Sequence, residues 1–176
     1  VLAACNPSRS HTHVRADDGG AAARQLTKAM AQAKEYRADV IVLTGDLVND
    51  ERPDEYAVLA ETIANPHAPL YVLPGNHDNK RGVDDTLFNR YFPPSRYDEN
   101  DWYGGSIAPD DNSANFSTFE QAGARFLMLS LPYAYGEAEI AWAEQIVASH
   151  SDYNVIISTH EHVLPATLEE EVQRST

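Results

Sequence analysis

Apolar residues along the chain form short continuous runs that alternate with stretches of helical spacing. Residues 40–43 and 70–73 are continuously apolar, a pattern typical of strands buried on both faces of a parallel sheet. Residues 21–37 and 53–64 carry apolar side chains three or four positions apart, which predicts two helices. This alternation of helix and strand predicts an α/β architecture.

The second half of the chain predicts a hairpin, a helix and one more strand. Residues 115–120 and 125–131 flank Gln121-Ala-Gly-Ala124 and read as a β-hairpin. Residues 154–159 read as another buried strand. Residues 137–149 predict a helix whose inward side chains are Ile140, Ala143, Ile146 and Val147. The stretch between these two halves, residues 79–113, looks irregular, but its many aromatic residues favour an ordered loop packed over the sheet edge.

The beginning of the chain has two interpretations. Leu2-Ala-Ala-Cys5 is similar to the end of a bacterial lipoprotein signal, which would place the protein in the periplasm or on a lipid anchor. The charged and long apolar regions that normally precede such a signal are absent from this sequence. The alternative is a short first strand or a tail, with a cytoplasmic location. We therefore divide the chain into an N-terminal loop or tail at 1–20 and one domain at 21–176.

Composition narrows the classes of function. A length of 176 residues suits a single domain with a real core. With 13 basic and 27 acidic residues, the net charge of −14 argues against broad, sequence-independent nucleic-acid binding. No apolar run is long enough for a transmembrane helix, and the single cysteine excludes an internal disulfide. The expected partner is a small-molecule substrate, and the oligomeric state stays open.

Polar residues that can bind metals follow the apolar runs. Asp46 comes after a glycine at the end of the first run, the second run ends in Gly75-Asn-His-Asp78, and the last strand leads to His160. Ligands of open α/β sheets collect beyond the carboxyl ends of the strands. Carboxylate, amide and imidazole groups together suit Zn²⁺, Mn²⁺ or Fe better than Ca²⁺. The sequence therefore predicts a divalent metal site.

Each candidate also has a purely structural interpretation. Asp46 alone could cap the following helix, and Asn76 could adopt a left-handed turn conformation. His160 could be a hydrogen-bonded histidine at a strand end. Other histidines and acids are weaker candidates for ligands, and they are His11, Glu161 and His162.

The order of these motifs resembles the calcineurin-like metallophosphoesterases. The resemblance rests on Gly45-Asp46, Gly75-Asn-His-Asp78 and the strand that ends in Ser158-Thr-His160, and it covers roughly residues 38–163. Residues 86–92, 102–105 and 126–131 are similar to a bacterial, often exported, subgroup. The resemblance implies a four-layer αββα sandwich with two metal ions at the strand ends, and a phosphomonoester or phosphodiester substrate.

The resemblance also implies roles for individual residues. Asp46 matches the aspartate that bridges both metals, and Asn76 and His160 match ligands of the second metal. His77 matches the histidine that assists the leaving group as a general acid, and Asp78 matches the acid that orients it.

The sequence departs from the family pattern at both ends. The family begins its site with Asp-x-His, whereas here His13 matches the histidine and His11 stands in the place of the aspartate. The family's later Gly-His-x-His motif does not occur in this sequence. We therefore expect a fold that is incomplete at both ends and at most one tightly held ion, at Asp46, Asn76 and His160. The alternative to an active hydrolase is a fragment or degenerate member of the fold that acts as a binding or scaffold domain.

Overall fold

The computed structural model describes residues 2–5, 13–15 and 19–160, and within it two β-sheets are covered by helices. The first sheet is parallel, with strand order β1-β2-β3. The second sheet has the order β4-β5-β6-β7, with antiparallel pairs up to β6 and a parallel β6–β7 pair. The elements in chain order are β1 (Leu2–Cys5), α1 (Ala21–Glu35), β2 (Val40–Thr44), α2 (Pro53–Thr62), β3 (Leu70–Leu73), α3 (Thr86–Tyr91), β4 (Tyr103–Ala108), β5 (Asp111–Gln121), β6 (Ala124–Leu131), α4 (Glu137–Ser149) and β7 (Asn154–Thr159).

The strands β2 and β3 are buried on both faces because their alternate side chains point into two different cores. Ile41 and Leu43 of β2 pack with the helices α1, α2 and α3. Val40 and Val42 instead meet Met128 of β6, between the two sheets. On the far side of the second sheet, Trp142 of α4 lies against the ring of Phe116, with centroids 6.2 Å apart. The predicted four-layer αββα order is confirmed.

The predicted helices and strands of the first half are confirmed, with shorter helix ends. The first helix ends at Glu35 rather than at residue 37, where Arg37 has a positive φ of 52°. Its N-cap is Gly20, which has no side chain to cap the helix. Leu2–Cys5 forms β1 beside β2, which differs from a loop or tail over residues 1–20 and agrees with the alternative of a short first strand.

The stretch 79–113 contains more regular structure than its sequence indicates. It forms α3, a short 3₁₀ helix at Pro94–Arg96 and β4. Phe88 and Phe92 are fully buried in the core, so the interpretation of these aromatics as ordered is confirmed. The strand β4 escaped prediction because it contains two glycines. A Cβ on Gly104 would lie 2.1 Å from the Phe116 ring, so glycine is required for that ring to pack.

The outermost helix is less buried than its pattern predicts. No residue of α4 is buried, and Ile140, expected to face inward, is 44% exposed. Ala143, Ile146 and Val147 are partly buried. In the described part of the chain, no helix is both long enough and apolar enough to cross a membrane.

Candidate metal centre

The turn after β2 builds the centre of the site. Gly45 and Asp46 both adopt left-handed backbone conformations, with φ of 84° and 54°. Glycine is favoured at 45 for a second reason, since a Cβ there would lie 2.6 Å from the backbone nitrogen of Gly75 and 2.8 Å from Nδ1 of His160. A side chain with φ above zero, as at Asp46, is uncommon and is often found at functional sites. The turn therefore directs a buried carboxylate to the carboxyl edge of the sheet.

The two oxygens of Asp46 face different histidines. Oδ1 lies 3.3 Å from Nε2 of His160, and Oδ2 lies 3.4 Å from Nε2 of His13. The side chain of Asp46 is 6% exposed, so both oxygens are largely shielded from bulk water. This is the arrangement that a carboxylate needs in order to bridge two cations.

His160 closes one side of the site. Its Nδ1 lies 2.8 Å from the carbonyl oxygen of Thr44, so Nδ1 carries a proton and donates it. Its Nε2 then faces two oxygens, Oδ1 of Asp46 and, at 3.1 Å, Oδ1 of Asn76. Two acceptor oxygens around one imidazole nitrogen need a positive charge between them, which a proton or a metal ion supplies.

The meeting of Asp46, Asn76 and His160 agrees with the sequence expectation, and β7 is the predicted strand before His160, but the sequence did not predict that this strand lies in the second sheet. Asp46 and Asn76 follow the adjacent strands β2 and β3. His160 follows β7, which belongs to the second sheet and pairs with β6. The site therefore lies across the two sheets, because the strand ends of both layers meet at this edge.

His13 reaches the same place through a short β-bridge formed by the next residue, Val14. Val14 pairs in parallel with Val48, its backbone nitrogen donates to the carbonyl oxygen of Leu47 at 3.0 Å, and its side chain is fully buried. His13, Asp46 and His77 form a group whose possible ligand atoms all lie within 4.8 Å of one another. The weaker candidates His11, Glu161 and His162 lie outside the described residues.

His77 is oriented by a backbone carbonyl. Its Nδ1 lies 2.6 Å from the carbonyl oxygen of Asn49, which places a proton on Nδ1 and turns Nε2 toward the site. Its ring centroid is 4.9 Å from that of His13. The backbone N–H of His77 also donates to Oδ1 of Asp46 at 3.2 Å. These contacts fix the ring beside the carboxylate.

Asp78 does not orient His77, contrary to the role that the resemblance implies. Its fully buried carboxylate instead accepts hydrogen bonds from the backbone N–H groups of Leu47, Val48 and Gly75, at 2.7 to 3.1 Å. The hydroxyl of Tyr56 donates to its backbone carbonyl at 2.7 Å. Asp78 therefore ties the turn after β2 to the turn after β3. Its part in the site is to position the two loops.

Burial and electrostatic attraction shift the pKa values of the site residues in opposite directions. Burial lowers the pKa of His13, and the attraction of Asp46 offsets this only in part. Burial also works against a charged His160, but its hydrogen bonds to Asp46 and Thr44 outweigh it and raise the pKa. Burial would raise the pKa of Asp46, yet its contacts with His160 and His77 hold it below the usual value. For Asp78, burial dominates over its three N–H donors and raises the pKa to about 7.

The residues present fit a divalent metal ion. One carboxylate, one amide oxygen and imidazole nitrogens converge, a mixed donor set typical of Zn²⁺, Mn²⁺ and Fe. Substitution of either turn glycine would fill this space, since a Cβ on Gly75 would lie 2.6 Å from Oδ1 of Asp46.

Two groups that orient histidines of the site could not be predicted from the sequence, and both are backbone carbonyls, of Thr44 and Asn49. Side-chain identity carries no signal for a carbonyl, so only the fold reveals them.

Comparison with known proteins gives the family. Residues 11–164 match the family described as calcineurin-like phosphoesterase. The chain therefore belongs to that family. A solved structure of a dimetal phosphatase from Danio rerio has the same fold, with a TM-score of 0.58 and 15% identity over 99% of this chain and 76% of that chain.

Relatives of known sequence include proteins named as phosphodiesterases. The 3′,5′-cyclic adenosine monophosphate phosphodiesterase CpdA of Escherichia coli (strain K12) is 28% identical over 75% of this chain and 43% of its own length. A protein of Arcobacter nitrofigilis named probable glycerophosphodiester phosphodiesterase GpdQ is 25% identical over 70% of this chain and 42% of its own length. The chain thus spans less than half the length of these two relatives.

Proposed function

We propose that this protein is a metal-dependent hydrolase of phosphoesters. The observation that carries the proposal is the convergence of Asp46, Asn76, His160, His13 and His77 at one edge of the two sheets, with the two oxygens of Asp46 facing opposite histidines. The names of the relatives support phosphodiesters as the first substrates to test.

The proposed roles follow from the contacts. Asp46, Asn76 and His160 would hold one divalent ion tightly, and Asp46 and His13 would be the residues available to a second. A bound divalent ion lowers the pKa of a coordinated water and neutralises the charge of the phosphate. His77 keeps its Nδ1 proton on the Asn49 carbonyl and presents Nε2 to the substrate. Protonated at Nε2, it would give that proton to the leaving oxygen as a water oxygen bonds to phosphorus and the bond to the leaving oxygen breaks.

Metal loading tests the ligand assignment. The washed protein should retain one equivalent of Mn²⁺ or Zn²⁺, measured by elemental analysis, and Asp46→Ala should lose both that metal and hydrolysis of an aryl phosphodiester. Asp98→Ala, at an exposed position in another loop, is the matched control and should keep both. Two retained equivalents would contradict the expectation of one and would indicate His13 as the additional ligand. A variant of Asp46 that kept full metal content would refute the site.

The role of His77 is tested separately with two leaving groups. His77→Ala should slow hydrolysis of an alkyl phosphodiester by about 10²–10⁴-fold, because the alkoxide needs a proton. A nitrophenyl ester should lose much less of its rate, since nitrophenolate leaves without protonation. Equal losses would contradict the acid role and favour a ligand or structural role, which metal content would then distinguish. A wild-type protein that binds metal and hydrolyses neither ester would favour the binding or scaffold alternative.

A further inference from the structure

A cleft of about 510 Å³ lies at the start of β3, at the opposite end of that strand from the metal centre. Residues 63–69, which connect α2 to β3, form one wall together with Leu70 of β3. Arg96, Tyr97, Asn100 and Trp102 form the other. Clefts of this volume are typical of small-molecule sites. We call it the β3 cleft.

The charge of the β3 cleft differs from that of the whole chain. The described residues that line it include one arginine, Arg96, and one histidine, His67, but no aspartate or glutamate. The chain as a whole carries 27 acidic and 13 basic residues. A lining with a cation and no carboxylate is therefore a local reversal of charge, and it favours an anionic ligand.

Arg96 contacts a backbone carbonyl and an aromatic ring. Its Nη1 donates to the carbonyl oxygen of Tyr91 at 3.1 Å, and its Cζ lies 5.2 Å from the centroid of the Phe92 ring. Within residues 19–160, no ion pair joins Arg96 to a carboxylate. A guanidinium has five N–H donors, so most of them stay available. The side chain is preorganised to receive a carboxylate from outside.

The rest of the lining suits a flat apolar body. Trp102 is partly buried and is the largest aromatic side chain of the lining, to which Pro66 and Pro69 also contribute apolar surface. Tyr97 is 7% exposed, and its hydroxyl has no hydrogen-bond partner among the described residues. Because that hydroxyl is itself buried, Tyr97 contributes its ring rather than a polar contact to the lining.

We propose that the β3 cleft binds a small aromatic carboxylate, with the carboxylate on Arg96 and the ring against Trp102. A single guanidinium matches the single charge and the two oxygens of a carboxylate. A phosphate dianion would need more positive charge than this lining holds. The proposal is independent of the metal centre and of phosphoester hydrolysis.

Tryptophan fluorescence provides a direct test, because the chain has only two tryptophans, Trp102 and Trp142. In a Trp142→Phe protein, Trp102 is the only reporter, and 4-nitrobenzoate should quench it saturably. Adding Arg96→Met should weaken the apparent affinity about 10- to 100-fold, the size expected for loss of a hydrogen bond to a charged group. Arg90→Met, an exposed arginine of α3 outside the cleft, is the matched control and should leave the affinity unchanged.

Two further probes define the ligand class. The neutral analogue 4-nitrobenzamide and the dianion phenyl phosphate should both bind more weakly than 4-nitrobenzoate. In the reverse protein, Trp102→Phe with Trp142 retained, saturable quenching should disappear. Quenching that stays linear with concentration, equal affinity in Arg96→Met, or equal affinity for the neutral amide would overturn the proposal.

Discussion

The two sheets bring ligands to the same centre from very different surroundings. In β2, residues 40–43 are at most 3% exposed, and β3 is similarly buried. In β7, Ile157 is 62% exposed and the neighbouring helix α4 has no buried residue. Yet β7 delivers His160 to within 3.3 Å of Asp46. The position of His160 therefore depends on its hydrogen bonds to Thr44 and Asn76 more than on the packing of its own strand.

This contrast divides the metal centre into two halves. The first, which we call the rigid half, is built by the buried strands β2 and β3. The second, lightly covered half is built by β7. In the rigid half, the Asp78 carboxylate accepts hydrogen bonds from the turn after β2 and from the turn after β3, so it holds the two turns together. On the other side, Tyr133 donates its backbone N–H to the carbonyl oxygen of Pro74 at 2.9 Å, which links the loop after β6 to the first sheet. Asn115 of β5 also donates to the carbonyl of Val72 at 3.0 Å. These hydrogen bonds thus add to the packing of Val40 and Val42 against Met128 in joining the two sheets.

The largest expected effect on stability comes from a comparison of two residues that pair across the neighbouring strands β6 and β7. Leu129 of β6 pairs with Ile157 of β7, but Leu129 is fully buried and Ile157 is mostly exposed. Leu129→Ala should lower the free energy of unfolding by about 2–5 kcal/mol because it leaves a cavity. Ile157→Ala should change it by about 0.5 kcal/mol. Urea denaturation measures both, and equal losses would mean that the outer face of β7 is covered in solution.

The next largest effect tests the hydrogen bonds by which Asp78 holds the two turns of the rigid half together. Asp78→Asn replaces an acceptor oxygen with an NH₂ donor that faces backbone N–H groups, so the free energy of unfolding should fall by about 1–3 kcal/mol. Metal affinity should fall with it, because the turns that carry Asp46 and Asn76 lose their common anchor. Asp98→Asn, an exposed control, should stay within about 0.5 kcal/mol of wild type. Unchanged stability and metal content in Asp78→Asn would contradict the positioning role.

The smallest effect lies on the outer surface. Arg125 of β6 forms an ion pair with Asp152 before β7, with both side chains about half exposed. Asp152→Asn should change the free energy of unfolding by no more than about 1 kcal/mol, since exposed pairs are screened by solvent. The same urea titration at low and high salt checks this. A loss comparable to that of Leu129→Ala would show that this surface pair fastens β7 to the sheet.

The sequence by itself determined the elements of the first sheet and the identity of the candidate ligands. Continuous apolar runs at 40–43 and 70–73 predict buried strands because only strands covered on both faces need them. Each run ends in glycine and a polar residue, and this pattern marked Asp46 and Asn76 correctly as neighbours at one sheet edge. Local patterns suffice here because adjacent parallel strands end at the same edge.

Only the tertiary structure shows that His160 reaches the site from the second sheet and that the Asp78 carboxylate binds backbone N–H groups. The sequence does not say which sheet a strand joins, since that depends on contacts between residues far apart in the chain. It likewise does not show that the Asp78 carboxylate reaches Leu47, Val48 and Gly75 rather than His77. The sequence did not predict the strand β4, because it contains two glycines, and Gly104 is explained only by the Phe116 ring that packs against it. The carbonyls of Thr44 and Asn49, which set the protons of two histidines, are common to every residue type, so their role follows from position in space alone.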